Sequence, residues 1–234
     1  MRTCAIHQPN FFPWLGYFDK IYKSDVFVFL NAVDYPKSSK TMSTWSNRVQ
    51  IAVNGRAHWI NCPVIREEGK QKICNVRIDN RVLVWREKLI KVITHNYKKS
   101  YFYDEVSDFI YSLINFQSDK LSEYNYNNIK EICKMLHIDT YFYKQTDLDT
   151  SDASTKLLIE ITKKVNCDSY LCGGGAGGYQ EDDLFEKNGI SLIYQNYEYP
   201  YYKQRWEEYI RGLSILDVLF NCGFEGTEQL IKDR

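Results

Sequence analysis

The sequence predicts an α/β fold: a mostly parallel sheet flanked by helices, with an inserted antiparallel hairpin. Three observations predict it. Short apolar runs alternate with helical periodicity at both ends of the chain, as βαβ units do. Residues 25–30 (Asp-Val-Phe-Val-Phe-Leu) form a continuous β-rich run, which is how a strand covered on both faces reads. Asn54-Gly55 separates two strand-like runs, and that dipeptide is a strong short-range hairpin signal.

The elements follow in order. Thr3–His7 reads as a strand ended by Gln8-Pro9-Asn10, because Pro9 and Pro13 cannot continue a strand interior. Helical spacing of Leu15, Phe18, Ile21 and Tyr22 gives a helix over residues 16–23. Residues 31–47 are polar and turn-rich, and read as a working loop. Residues 47–53 and 57–64 are the hairpin arms, and residues 72–78 a further short strand. Helices are predicted over residues 84–96, 103–116 and 121–136, then a strand over 140–143. A helix over residues 155–165 carries Ser151, Asp152 and Ser154 as candidate caps. Residues 169–172 form a strand before the glycine tract at 173–178. Residues 180–188 are helical and closed by Gly189, with Asp182 and Asp183 suited to the positive end of the helix dipole. Ser191–Gln195 is a strand, and residues 213–221 a last helix ended by Gly223.

With 234 residues and no linker, repeat or low-complexity tract, residues 1–234 are expected to be one domain. Basic and acidic residues balance at 30 each, so the basic excess of a nucleic-acid binder is missing. No window approaches the roughly 18 apolar residues of a membrane span, and no apolar leader opens the chain. The seven cysteines are scattered without CxxC spacing, which supports neither a disulfide framework nor a zinc ribbon. The chain is therefore expected to work in the cytoplasm on a small molecule. His7, His58, His95 and His137 show no HxH or i,i+4 spacing, so no protein-bound metal is expected. The 19 tyrosines combine ring packing with a phenol for polar contacts.

In open α/β sheets, ligands bind beyond the carboxyl ends of strands where the connections reverse direction. Two loops are placed to do this. The first holds His7, Gln8, Asn10, Gly16 and Tyr17 between prolines that restrict it before binding. His7 is the candidate base, Gly16 lets a ligand approach a helix N-terminus, and Trp14 reads as core. The second is the glycine tract, where Gly173, Gly174 and Gly175 either let the backbone approach a ligand closely, such as a phosphate or sugar, or merely form a tight turn. It matches neither the dinucleotide fingerprint nor the phosphate loop. Asp34, Lys37, Asn47 and Arg48 are candidate binding residues from the polar loop, with Arg48 able to hold phosphate through paired donors. His95, at a helix end, is either a ligand contact or a dipole partner. Cys172 precedes a glycine turn as a nucleophile would, but small-residue filling explains it better. No GxSxG elbow is present.

The chain resembles the WbqC-like family. The likeness rests on the opening block from Ile6-His7-Gln8-Pro9-Asn10 through Trp14-Leu15-Gly16-Tyr17-Phe18-Asp19-Lys20, on Ser24-Asp25-Val26-Phe27-Val28, and on Asn47-Arg48. It continues in Tyr170-Leu171-Cys172-Gly173, Tyr199-Pro200-Tyr201-Tyr202-Lys203-Gln204 and the run from Leu213 to Asn221. Cys172 stands where the family pattern has Ser, and Tyr199 where it commonly has His, so neither is assigned a catalytic role. The resemblance implies a place in O-antigen (lipopolysaccharide) or other surface-polysaccharide biosynthesis, among enzymes that make amino sugars. It implies a transferase that decorates a nucleotide-linked amino sugar, by amide-forming acyl or aminoacyl transfer. His7 would serve as base, and Asn10 or Arg48 as oxyanion donors, with an acyl donor or ATP as co-substrate. The alternatives are an ATP-dependent ligase acting through an acyl-adenylate, by weaker analogy with pantothenate synthetase-like enzymes, and a noncatalytic sugar-nucleotide-binding scaffold.

Overall fold

A computed structural model describes residues 1–36, 45–65, 67–82, 84–174 and 180–233. The chain runs β1 (Thr3–His7), α1 (Leu15–Tyr22), β2 (Val26–Phe29), β3 (Arg48–Val53), β4 (Arg56–Asn61), β5 (Val64–Ile65) and β6 (Arg77–Ile78). It continues α2 (Trp85–Tyr97), α3 (Tyr103–Asn115), α4 (Leu121–Met135), β7 (Tyr141–Lys144), α5 (Ser154–Lys164), β8 (Ser169–Gly173), α6 (Asp182–Lys187), β9 (Ser191–Gln195) and α7 (Ile215–Lys232). The central sheet has five strands in the order β7-β2-β1-β8-β9, and every pairing in it is parallel. The fold is the α/β sheet that the sequence predicts.

Strand period explains how the sheet is covered. Cys4, Ile6, Val26, Val28, Tyr170 and Cys172 join one apolar cluster with Leu157, Ile161 and Phe185 of α5 and α6. The intervening Ala5, Phe27, Phe29 and Leu171 join the other, with α1, α2, α3, α4 and α7. All four residues of β2 are buried, and that double cover produces the unbroken apolar run. The β3–β4 hairpin turns at Asn54 (φ 49°) and Gly55 (φ 75°), the left-handed pair that a two-residue hairpin needs.

Three expectations are corrected. Residues 72–78 form a 3₁₀ turn, Ile73–Asn75, and then only the two residues of β6. The buried Ile73 and Val76 lie three apart, which is turn spacing, and the Ile73 and Cys74 N–H groups bond to Val33 and Asn31 carbonyls across the loop. The last helix does not stop at Gly223. That glycine (φ 70°, ψ −175°) kinks α7, which resumes to Lys232, and a Cβ there would lie 2.6 Å from the Phe102 ring. At α5 no side chain caps the N-cap, Ala153. The Glu160 carboxylate instead accepts the Ser151 and Asp152 N–H groups, at 3.1 and 3.0 Å.

A buried carboxylate ties the C-terminal region together. Asp217, in the first turn of α7, accepts Tyr97 Oη at 2.7 Å, Tyr202 Oη at 2.7 Å and Gln204 Nε2 at 3.0 Å. Burial pushes its pKa up to about 6, against the pull of those hydrogen bonds. A carboxyl whose folded pKa exceeds its unfolded value favours the fold as pH falls through the folded pKa. Lowering the pH from 7 to 5 should therefore add about 1 kcal/mol through this group. Denaturant unfolding at both pH values, for wild type and Asp217→Asn, isolates the effect. An equal pH dependence in the two proteins would show that Asp217 is already ionised at no cost.

Candidate functional site

Consecutive strands depart in opposite directions from the centre of the sheet. From β1 the chain goes to β2 on one side, and from β8 to β9 on the other. The carboxyl ends of β1 and β8 therefore flank the point where an open α/β sheet leaves a crevice. A cleft of about 680 Å³ lies there, within the usual range of ligand sites.

The loop after β1 is held at many points. Phe11 N–H donates to Trp45 O, Ile215 N–H to Pro13 O and Ser214 Oγ to Phe12 O. Asn125 Nδ2 donates to Pro9 O at 2.9 Å. Phe12 is kept at φ 40°, a conformation an aromatic residue adopts only when its surroundings over-determine it. The two prolines and these ties leave one backbone path, so the polar side chains of the loop are fixed before a ligand arrives.

His7, Gln8, Asn10, Gly16 and Tyr17 line this cleft, and so do Gly173 and Gly174 from the second loop. The two loops therefore share one cleft. Among the rest, Asp34 is exposed and pairs with Lys70 at 3.3 Å, a weak surface ion pair. Asn47 is buried, accepting Tyr35 Oη and donating to Cys62 O, so it ties the loop to the hairpin. Arg48 does not line the cleft, and its guanidinium lies 4.4 Å from the Trp59 ring. His95 is exposed in the last turn of α2. Lys37 and Gly175 lie outside the described residues. Trp14, expected in the core, is half-buried and lines the cleft. Cys172 points to the opposite cluster, where burial raises its thiol pKa, the reverse of an activated nucleophile.

Lys20 is the feature that the sequence reading passes over. It lines the cleft at 3% exposure, and its ammonium donates to Ile6 O at 3.0 Å. No carboxylate among the described residues pairs with it. The adjacent Asp19 is turned away, pairing with Lys23 at 2.9 Å and accepting Gln195 Nε2 at 2.7 Å. Burial lowers the Lys20 pKa to about 8, so the amine remains charged at neutral pH. The one available signal was position: Asp19-Lys20 falls inside an eight-residue helix joining two buried strands, where few faces reach solvent.

His7 responds to the same charge. Burial, and then the Lys20 charge, push its pKa down to about 3. Its Nδ1 lies 3.1 Å from Gln8 O, a carbonyl that also accepts Tyr17 Oη at 2.9 Å. A carbonyl only accepts, so Nδ1 carries the proton and Nε2 keeps its lone pair. The cleft thus holds a neutral imidazole beside an unpaired ammonium. Among the described residues no group of three or more His, Cys, Asp or Glu is placed to hold a metal.

The WbqC-like protein family matches residues 8–229. The chain belongs to this family. The WbqC-like chain is also 30% identical over 233 residues to a Mycobacterium tuberculosis (strain ATCC 25618 / H37Rv) protein named "Uncharacterized protein Rv1507c", covering 98% of each chain. No solved structure matches it. No helix among the described residues is long and apolar enough to cross a membrane.

A buried ammonium that has a carbonyl at 3.0 Å and the Tyr170 ring at 6.0 Å, but no carboxylate partner among the described residues, costs stability. Lys20→Met should raise folding stability at pH 7 by up to about 3 kcal/mol. Denaturant unfolding of the two proteins checks this. A destabilised variant would make the Lys20–Ile6 contact a structural strut instead.

Proposed function

We propose that this WbqC-like protein is an enzyme of surface-polysaccharide biosynthesis that takes a nucleotide-linked amino sugar and acylates or aminoacylates its amine. The observation that carries the reading is the unpaired Lys20 ammonium buried at the switch point beside a neutral His7. A buried cation with no internal counterion is completed by an anionic ligand, here the diphosphate of the substrate. Gly173 supports this placement, since a Cβ there would meet nothing within 4 Å among the described residues.

Amide formation needs a base for the attacking amine and donors for the tetrahedral oxyanion. The Nε2 lone pair of His7 is the base. Its basicity is held down by burial and by Lys20. A diphosphate at Lys20 offsets that charge, so substrate binding itself raises the basicity of His7. The amine loses its proton to Nε2 as its nitrogen bonds to the acyl carbon, and the leaving group departs with the electron pair of its bond to that carbon. Asn10, buried in the cleft wall, supplies the amide donor to the oxyanion. The anion-anchoring role that the sequence suggests for Arg48 passes to Lys20, because Arg48 lies on Trp59 outside the cleft lining.

The test is turnover of a UDP-linked amino sugar with an acyl-coenzyme A, followed by thiol release. His7→Ala should lower kcat about 10²–10⁴-fold without changing the melting temperature. Wild-type rates in His7→Ala would remove the base assignment. Release of AMP and pyrophosphate from ATP, with no thiol release, would replace transfer by ligation.

A further inference from the structure

The cleft lining combines polar and cationic groups, among them His7, Asn10 and Lys20, with two aromatic walls. One is the pair Trp14 and Trp45, its rings tilted at 58°, and the other the pair Tyr197 and Tyr199, its rings at 75°. The Trp14 and Trp45 rings are 5.8 Å apart, and those of Tyr197 and Tyr199 5.2 Å. Both walls meet at Gly16. A Cβ there would lie 2.7 Å from the Tyr197 ring and 2.8 Å from Trp14 Nε1, so only glycine lets the two walls close on this point.

Each wall is backed by an arginine. Trp45 packs at 5.2 Å against Trp59, whose ring carries the Arg48 guanidinium at 4.4 Å. Tyr199 carries the Arg211 guanidinium at 5.1 Å. Core packing does not require these rings at the surface, yet Trp59 is 38% and Tyr199 41% exposed. In β4 only Ile60 is buried, so the hairpin presents Trp59 on a face that contributes little to the core.

We propose that the walls Trp14–Trp45 and Tyr197–Tyr199 form a slot for the nucleobase of a nucleoside diphosphate whose phosphates reach Lys20. The assignment rests on the reading of Lys20 as the anion anchor and adds the subsite that recognises the other end of the ligand. A flat base stacks on aromatic side chains of this kind, and such stacking is tolerant of base identity. The slot also gives Tyr199 a task, since it is one of the aromatic residues that line the cleft.

Calorimetric titration with inorganic pyrophosphate, UDP and ADP tests the slot. Wild type should bind each nucleoside diphosphate about tenfold to a hundredfold more tightly than pyrophosphate. Tyr199→Ala and Trp45→Leu should lose that margin while keeping the affinity for pyrophosphate, and Tyr199→Phe should retain it. Equal affinity of wild type for all three, or a margin unchanged in both disruptive variants, overturns the slot. Nucleoside diphosphate binding that depends on Tyr199 and Trp45, with no pyrophosphate binding, overturns the Lys20 reading and leaves the slot standing. Absence of binding by all three overturns both.

Discussion

The ammonium of Lys20 sits under the carboxyl end of β1, donating to the carbonyl of Ile6. The chain offers it little choice. Eight residues of α1 must return from β1 to the adjacent parallel strand β2, and Leu15, Phe18 and Ile21 fill the apolar side of that short helix. Lys20 then falls on the side facing the sheet end, buried, with no carboxylate paired to it among the described residues. Two consequences follow from electrostatics. The imidazole of His7 stays neutral next to the charge, and the charge is what the proposed anion would complete.

The same short connection organises the neighbours. Gln195, the last residue of β9, donates to both Gly16 O and Asp19 Oδ2 at 2.7 Å, stitching the far strand to α1. Asp19 is occupied there by Gln195 and Lys23, and as the helical neighbour of Lys20 it faces another direction. Gly16 serves twice, by offering its carbonyl to Gln195 and by letting Trp14 and Tyr197 approach. The cation and the walls of the cleft therefore depend on one turn of helix.

Much of the fold was legible because it is local. The apolar run of β2, the Asn54-Gly55 turn and the alternation of strands with helices each reflect short-range patterns that the sheet keeps. The shared cleft of the two loops was legible too, since strand order and strand ends follow from βαβ connections. Lys20 was not, because a lysine in a helical period reads as solvated until the helix is known to be enclosed. Asn47 and Arg48 read as a binding pair on a loop edge, and what the sequence does not report is their tertiary contacts, Asn47 with Tyr35 and Cys62 and Arg48 with Trp59. The kink at Gly223 depends on Phe102, 121 residues away in sequence, so no local pattern could report it.

The most direct test of this account is the titration of the Lys20 amine, followed by NMR of a lysine ¹³Cε-labelled protein with and without pyrophosphate. The cleft described here predicts a free-state pKa of about 8, rising when the anion binds and supplies the missing counterion. A Lys20 that titrates with the exposed lysines, or whose pKa stays fixed when pyrophosphate is added, would contradict it.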